Sequence, residues 1–545
     1  MSLKISPKST LLLCLIGISS TTAALFGSAN RDFIADKALL RRSYQGWLPL
    51  GASDLPFDYY TDSHPQSVVD SYGYTFHYFS QIVSRLVSLL LGSDFRTLSS
   101  DSVNTQNVLT ASLGVLGCWA VGLVSREIFT SRRSELVGIV GTFLFPLWLG
   151  HSWMNQKDVP FATGFMCATA MATLAAHCPR DEKISRSLRQ DFCISTFASL
   201  VLTFGTRPGL AVLTLPLFIF GMWQVRVRCS ELQRMLTTVI IGALIIVLAT
   251  NPASLPNPIA WTWNGIQVGR DFIGYSGDVL FDGRFVSSKN LGLIYLVKSC
   301  VSSTPLLGLV GMVGGTVLVI RQIINGSAKT VLPLVYHSTV VAGVVLGLSR
   351  NNYNAGRQFL FIVLGWQAVS IVGIYWMVTI RKQRLQLGLQ MSIILLVSLL
   401  VVDHVSIFPY QYVYRNEIAR WKDSFEVSGE FDYWGIAGRE LASAIPDEPG
   451  QVIYFGSGDK FGGGRYTSQE GQQFVPHGSV IVDDRIKWTS QNGKPIFDYV
   501  PWLHYWPPNL DKFFRKPLLN CMNVHSAYAV MPPHRVLLGS LYRCR

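Results

Sequence analysis

Between two apolar segments the chain carries HSWMNQKDVPF, residues 151–161, which sets His151, Asn155, Lys157 and Asp158 close together. Hydrocarbon cannot solvate such groups, so they must line a watery site at a membrane surface or fill a protein-lined cavity. Lys157 suits a lipid phosphate as a point charge, and Asp158 beside it could position an acceptor or a metal ion. Pro160 fits the first turn of a following helix, which would put Asp158 near that helix's positive end. The plainer reading is a capping aspartate with a snorkelling lysine.

Other segment ends repeat the theme. Arg207 precedes Pro208, Arg357 sits in NNYNAGRQFLF, and Arg284 lies in GDVLFDGRF with two aspartates. Guanidinium groups at an interface clamp phosphate or pyrophosphate, though singly each is more often an anchor. Ahead of them, residues 29–105 hold Asp32, Asp36, Asp54, Asp58, Asp62 and Asp70 among Tyr59, Tyr60, Tyr72 and Tyr74. A carboxylate beside a span end can act as general base or metal ligand at the headgroup level. Asp32 stands nearest the membrane, with Asp36 as its rival; for each, a solvated loop charge is the alternative. A divalent cation, Mg²⁺ or Mn²⁺, is the candidate cofactor.

These residues need a membrane-embedded scaffold. The 545-residue chain is 49% hydrophobic and only 14% charged, with positive mean hydropathy. Spans of roughly 20 residues are expected in about eleven places, near 10–28, 106–124, 135–150, 160–177, 191–206, 209–223, 235–250, 304–320, 331–348, 359–379 and 388–402. A cleaved signal peptide is the alternative for the first of them. The formal net charge of +13 gathers in alternate loops: Arg126, Arg132 and Arg133; Arg180, Lys183, Arg186 and Arg189; Arg226, Arg228 and Arg234; Arg321 and Lys329; Arg381, Lys382 and Arg384. With Lys4 and Lys8 before the first span, this is the positive-inside pattern of a cytoplasmic N-terminus. The charge is topological, and nucleic acid is excluded as a partner. Residues 29–105, the 151–160 break, 251–303, 350–358 and the tail after about 405 then face outward, in a multi-pass protein for which the plasma membrane is expected.

The expected organisation is a first span (1–28), an external loop (29–105), a bundle (106–405), a juxtamembrane segment (406–430) and an external α/β domain (431–545). In the first loop, FSQIVSRLVSLLLG (79–92) reads as a helix lying on the outer leaflet or packed on the protein itself. In the tail, GIAGRELASAIP reads as helix, and QVIYFG, GSVIVDD and SAYAVM as strands, with WLHYWPPNLDKFF between them. Of nine cysteines, Cys521 and Cys544 fall in that tail, where an oxidising compartment would allow a disulfide. GSGDKFGGGRY lacks the ending of a phosphate-binding loop, and no HExxH, GxSxG or CxxC occurs.

Several blocks together resemble bacterial membrane glycosyltransferases of the protein O-mannosyltransferase-like type, in the GT-C superfamily near glycosyltransferase family 39. HSWMNQKDVPFATGF is similar to a GHSF-NPKD-IPF signature, and GDVLFDGRF with LIYLVKSCVSSTP to a later block. NNYNAGRQFLF and FPYQYVYRNE with EFDYWGIAGRE follow in family order. The resemblance implies a multi-span GT-C fold, a polyprenyl-phosphate-linked sugar as donor and an acidic base early in the first external loop. Asp32 matches that position, Asp158 the signature acid and Arg357 the arginine of its block. Asn354, Gln358 and Phe408 replace an acid and two histidines of the family pattern.

The expectation is therefore an all-α polytopic membrane protein, GT-C-like, with a C-terminal external α/β domain. Its expected reaction is inverting glycosyl transfer from a polyprenyl-phosphate sugar to an acceptor hydroxyl on the external face. A flippase or transporter of lipid-linked glycans would instead bury charges at mid-span. An inactive scaffold is the third reading, drawn from the three replaced residues.

Overall fold

The computed structural model describes residues 16–17, 72–92, 100–178, 184–270, 278–282, 284–348, 355–380, 383–421, 440–441, 444–446, 452–453, 456–457, 480–481, 499–503 and 521–544. Asp32, Asp36 and nearly all of the expected first span lie outside them. Among the described residues, eight helices are long and apolar enough to cross a membrane, or nine if one bent pair forms a single span. The protein is thus a multi-pass helical bundle with small sheets.

In chain order the elements are α1 (Thr75–Leu91), α2 (Ser100–Phe129), α3 (Arg132–Phe143), α4 (Pro146–Ser152), α5 (Asp158–His177) and α6 (Arg186–Phe204). Then follow α7 (Pro208–Arg228), α8 (Ser230–Thr250), α9 (Pro258–Arg270), the hairpin β1 (Asp278–Phe281) and β2 (Arg284–Ser287), and α10 (Leu293–Ser302). The bundle closes with α11 (Leu306–Ile324), α12 (Ala328–Val345), α13 (Ala355–Gln358), α14 (Leu360–Val378) and α15 (Gln383–Ile407). The short α16 (Glu417–Arg420) leads to the C-terminal part.

Two expected spans are corrected. The 135–150 segment is broken into α3 and α4, bent by 71°, because Pro146 has no amide hydrogen to continue the helix through. The 191–206 segment does form a helix, α6, but Arg186, Arg189 and Asp191 in its first turns keep it out of the eight apolar spans. The 251–303 stretch is also more than a loop, since it folds into α9, a hairpin and α10.

Helix α5 is the axis of the bundle. All of its apolar window is buried, and its alanines and Gly164 let α2, α6, α7, α12 and α14 pack around it. Small side chains allow such close approach where hydrocarbon supplies no hydrophobic drive for helix association. Twenty residues rise about 30 Å, so the two ends of α5 sit at opposite faces of a bilayer.

Helix α1 starts one turn earlier than the 79–92 stretch. It buries Ser80, Ser84 and Ser88 against the bundle and turns Phe79, Leu86, Leu89, Leu90 and Leu91 outward. The apolar face is therefore presented away from the protein, where a leaflet would meet it.

The C-terminal sheet contains β3 (Val452–Ile453), β4 (Gly456–Ser457), β5 (Val480–Ile481), β6 (Tyr499–Leu503), β7 (Met522–Met531) and β8 (His534–Arg543). Its order is β5-β3-β6-β8-β7, with β4 on β6. The β3, β4 and β5 pairings are parallel, whereas β8 is antiparallel to both β6 and β7. Trp502 and Leu503, expected between strands, belong to β6; Pro501 in its middle argues locally against a strand. The β8 run, VLLGSLY, gives no period that separates strand from buried helix. Cys521 and Cys544 are joined as a disulfide at the open end of the β7–β8 hairpin.

The hairpin docks on the bundle. Arg420 Nη1 donates to Asp403 Oδ1 at 2.9 Å and to Pro532 O at 3.0 Å, with a second Arg420–Asp403 bond beside it. His534 Nε2 donates back to Arg420 O at 2.7 Å. The YVYRNE block works structurally: Asn416 Nδ2 donates to Val301 O and Thr304 O, and Glu417 accepts from Leu306 N, closing the break between α10 and α11. Tyr414, deeply buried beside Glu417 and Asp403, has its phenol held well above its ordinary pKa, first by burial and then by those carboxylates.

Candidate active site

Asp158 opens α5, and the break before it is organised by one amide. Asn155 Oδ1 accepts from Asp158 N at 2.9 Å and from Lys157 N at 3.3 Å, satisfying donors that a helix start leaves unmet. Asn155 Nδ2 donates to Asp158 Oδ2 at 2.9 Å and to His151 Nδ1 at 3.2 Å. An amide nitrogen only donates, so Nδ1 is the accepting nitrogen and the His151 proton resides on Nε2. Gly150 lies against the backbone of Tyr412, where any Cβ would collide. The histidine ring stands edge-on to that tyrosine, 6.3 Å between centroids.

Two arginines reach Asp158 from far along the chain. Arg207 follows the end of α6, and Pro208 starts the next helix immediately, so the guanidinium projects from a helix junction. It donates through Nη2 to Asp158 Oδ1. Arg357, on the short α13 that precedes α14, donates through Nε to Asp158 Oδ2 at 3.1 Å. The carboxylate is 2% exposed and the two arginine side chains 16% and 15%, so these are charges taken largely out of water.

Lys157 joins the cluster through an aromatic ring, its Nζ lying 3.8 Å from the centroid of Tyr72. Tyr72 comes from the end of the long first loop, which is tied to the bundle just behind it. Gly73 N donates to Thr206 O at 2.9 Å and Thr75 N to Gly205 O at 3.0 Å. A Cβ on Gly73 would sit 2.5 Å from Gly205 C, so only glycine permits this approach. Asn251, just past α8, accepts from Tyr74 N at 2.6 Å and donates to Thr75 Oγ1 at 2.9 Å.

The sequence-predicted residues divide into three groups. His151, Asn155, Lys157, Asp158, Arg207 and Arg357 come together at one end of α5. Arg284 is exposed on β2, and among the described residues no bond links it to Asp158; the neighbouring Asp282 pairs with Lys298. Asp32 and Asp36 lie outside the described residues. Sequence reading passed over Asn251 and Gln156, polar residues next to span ends, where their type was the available signal. The Asp403–Arg420 pair carries no local signature at all.

Electrostatically, three cationic side chains surround one carboxylate whose two oxygens already accept from Arg207, Arg357 and Asn155. Such a set favours an anion beside it. Among the described residues no three His, Cys, Asp or Glu side chains group as metal ligands.

No protein-family model matches the chain, and no curated protein matches it. Solved structures with a similar course of chain do exist. ArnT from Cupriavidus metallidurans in the apo state aligns over 99% of both chains at 11% identity, with a TM-score of 0.45. The same protein bound to undecaprenyl phosphate aligns over 98% of both chains at 12% identity and a TM-score of 0.42. The archaeal oligosaccharyltransferase AglB from Archaeoglobus fulgidus, in complex with an inhibitory peptide and a dolichol-phosphate, covers 91% of this chain and 70% of its own, at 11% identity and a TM-score of 0.43. At such scores the likeness concerns the course of the chain and assigns no chemistry to any residue.

Proposed function

We propose that this chain is a glycosyltransferase that moves a sugar from a polyprenyl-phosphate-linked donor to an acceptor hydroxyl on the external face of a membrane. The observation that carries the reading is the convergence of Arg207, Arg357 and Lys157 on buried Asp158 at one end of the central helix. A cationic pocket at a membrane face is where a lipid phosphate would sit. The positive-inside pattern supports the outward orientation of that end.

In the proposed reaction the acceptor oxygen attacks the anomeric carbon as the bond from that carbon to the phosphate oxygen breaks. The acceptor proton passes to Asp32, or to Asp36, and the electron pair leaves on polyprenyl phosphate. Arg207 and Arg357 neutralise that leaving group, and Lys157 adds a third charge. Single displacement inverts the anomeric carbon. Asp158 is a positioning residue here, because its two oxygens already accept from Arg207, Arg357 and Asn155 and so hold both guanidinium groups in place.

The test is transfer of labelled sugar from undecaprenyl-phosphate donors in membranes. Arg207→Ala, Arg357→Ala and Asp32→Asn are each expected to lower turnover about 10²-fold or more. Undiminished transfer in all three variants would remove the assignment, and movement of labelled lipid across the bilayer without transfer would favour a flippase.

A further inference from the structure

Beside the cationic cluster lies a second polar group that the phosphate chemistry does not use. Gln156 stands two residues before Asp158 in the break, and Asn107 is on α2; both are almost fully buried. Gln156 Nε2 donates to Asn107 Oδ1 at 3.4 Å, which leaves Asn107 Nδ2 and Gln156 Oε1 with no partner among the described residues. The count survives an amide flip. Turned the other way, the same single bond still leaves one NH₂ group and one carbonyl oxygen unmet. The indole Nε1 of Trp153, also buried, is a second donor without a described partner. Trp153 packs on Ala111, one helical turn from Asn107.

Buried polar atoms are ordinarily satisfied, because an orphan gives up its hydration with nothing in return. An adjacent free donor and free acceptor match one chemical group especially well, a hydroxyl, which accepts from the NH₂ and donates to the carbonyl. A phosphate offers acceptors only, and a lipid tail offers neither. Two residues of extended chain span roughly 7 Å at most, so the backbone of Gln156 lies within that distance of the backbone of Asp158.

We infer that Asn107 and Gln156 form the hydroxyl-reading subsite for the sugar ring of the donor, with Trp153 Nε1 as a further contact. This rests on the proposed glycosyl-transfer reading. It adds that sugar identity is decided between α2 and the break rather than by the arginines, which hold whatever phosphate the sugar is carried on. A ring lacking the hydroxyl that faces the pair would leave both amides desolvated and is discriminated against.

The experiment measures binding of purified protein, in lipid nanodiscs, to undecaprenyl phosphate carrying mannose, glucose or no sugar. At least one sugar-bearing lipid is expected to bind wild type about tenfold more tightly than the bare phosphate lipid, the worth of one or two buried hydrogen bonds. Gln156→Met and Asn107→Leu should erase that increment while leaving bare-lipid affinity unchanged. Arg207→Ala should weaken all three lipids alike. An increment that survives both amide variants, or its absence in wild type with every sugar, overturns the subsite. Failure of wild type to bind the bare lipid overturns the glycosyl-transfer reading, and the subsite with it. Where Asn107→Leu fails to fold, Gln156→Met, close in volume to the original, decides the matter alone.

Discussion

Asp158→Asn isolates what the buried carboxylate does. Three donors converge on it: Arg207 Nη2 on Oδ1, and Arg357 Nε and Asn155 Nδ2 on Oδ2. Asparagine keeps the shape but has one oxygen. Placed at the Oδ2 position, that oxygen retains Arg357 and Asn155, and the new NH₂ group opposes Arg207. The reverse placement sets NH₂ against two donors, so the first wins. Arg207 then loses its bond to residue 158, and its Nε has no partner among the described residues. A lost charge-assisted hydrogen bond is worth about 1.5–3 kcal/mol, and the remaining bond to Arg357 weakens as its acceptor becomes neutral. The total falls near the ~3–5 kcal/mol typical of breaking a buried ion pair. Thermal unfolding in detergent should show a clearly lower midpoint for the variant. Undecaprenyl phosphate should recover more of the midpoint in the variant than in wild type, because its phosphate supplies the acceptor that Arg207 has lost. A variant as stable as wild type would refute the idea that Asp158 holds the arginines. So would equal stabilisation of both proteins by the lipid.

Three further outcomes follow from other contacts. Tyr72→Leu removes the ring beneath Lys157 and should raise the KM for donor several-fold, in line with about 1–2 kcal/mol for a shielded cation–π contact, with the melting midpoint held; an unchanged KM would detach the lysine from donor binding. Arg420→Met alone should cost about 3–5 kcal/mol, since it strands Asp403, whereas adding Asp403→Leu should recover much of the loss; a double variant as unstable as the single would contradict the pairing. Cys521→Ser opens a link between residues 23 apart and should loosen the β7–β8 hairpin by about 3 kcal/mol, read as faster amide exchange in residues 522–543 with the bundle unaffected; unchanged exchange would count against it.

The sequence by itself determined the bundle and the location of its chemistry. Apolar runs long enough to cross hydrocarbon are a local property, and so is the oddity of His151, Asn155, Lys157 and Asp158 between two of them. It also pointed to Arg207 and Arg357, because each stands at the end of a run. Tertiary structure decided which of these meet. Asp158 finds its partners 49 and 199 residues away, and ion pairs at such separations leave no period or spacing to read. Arg284 has the same residue type and a similar neighbourhood in sequence, yet the β1–β2 hairpin carries it to an exposed edge. The 71° break at Pro146, the seat of Gly73 on Gly205 and the Asn107–Gln156 pair depend likewise on how helices cross. Strands β6 and β8 went unread for a related reason: a proline and an apolar run look like strand only once neighbours supply hydrogen bonds. What this chain must bury is written residue by residue, whereas the partners that its buried polar groups meet follow from packing.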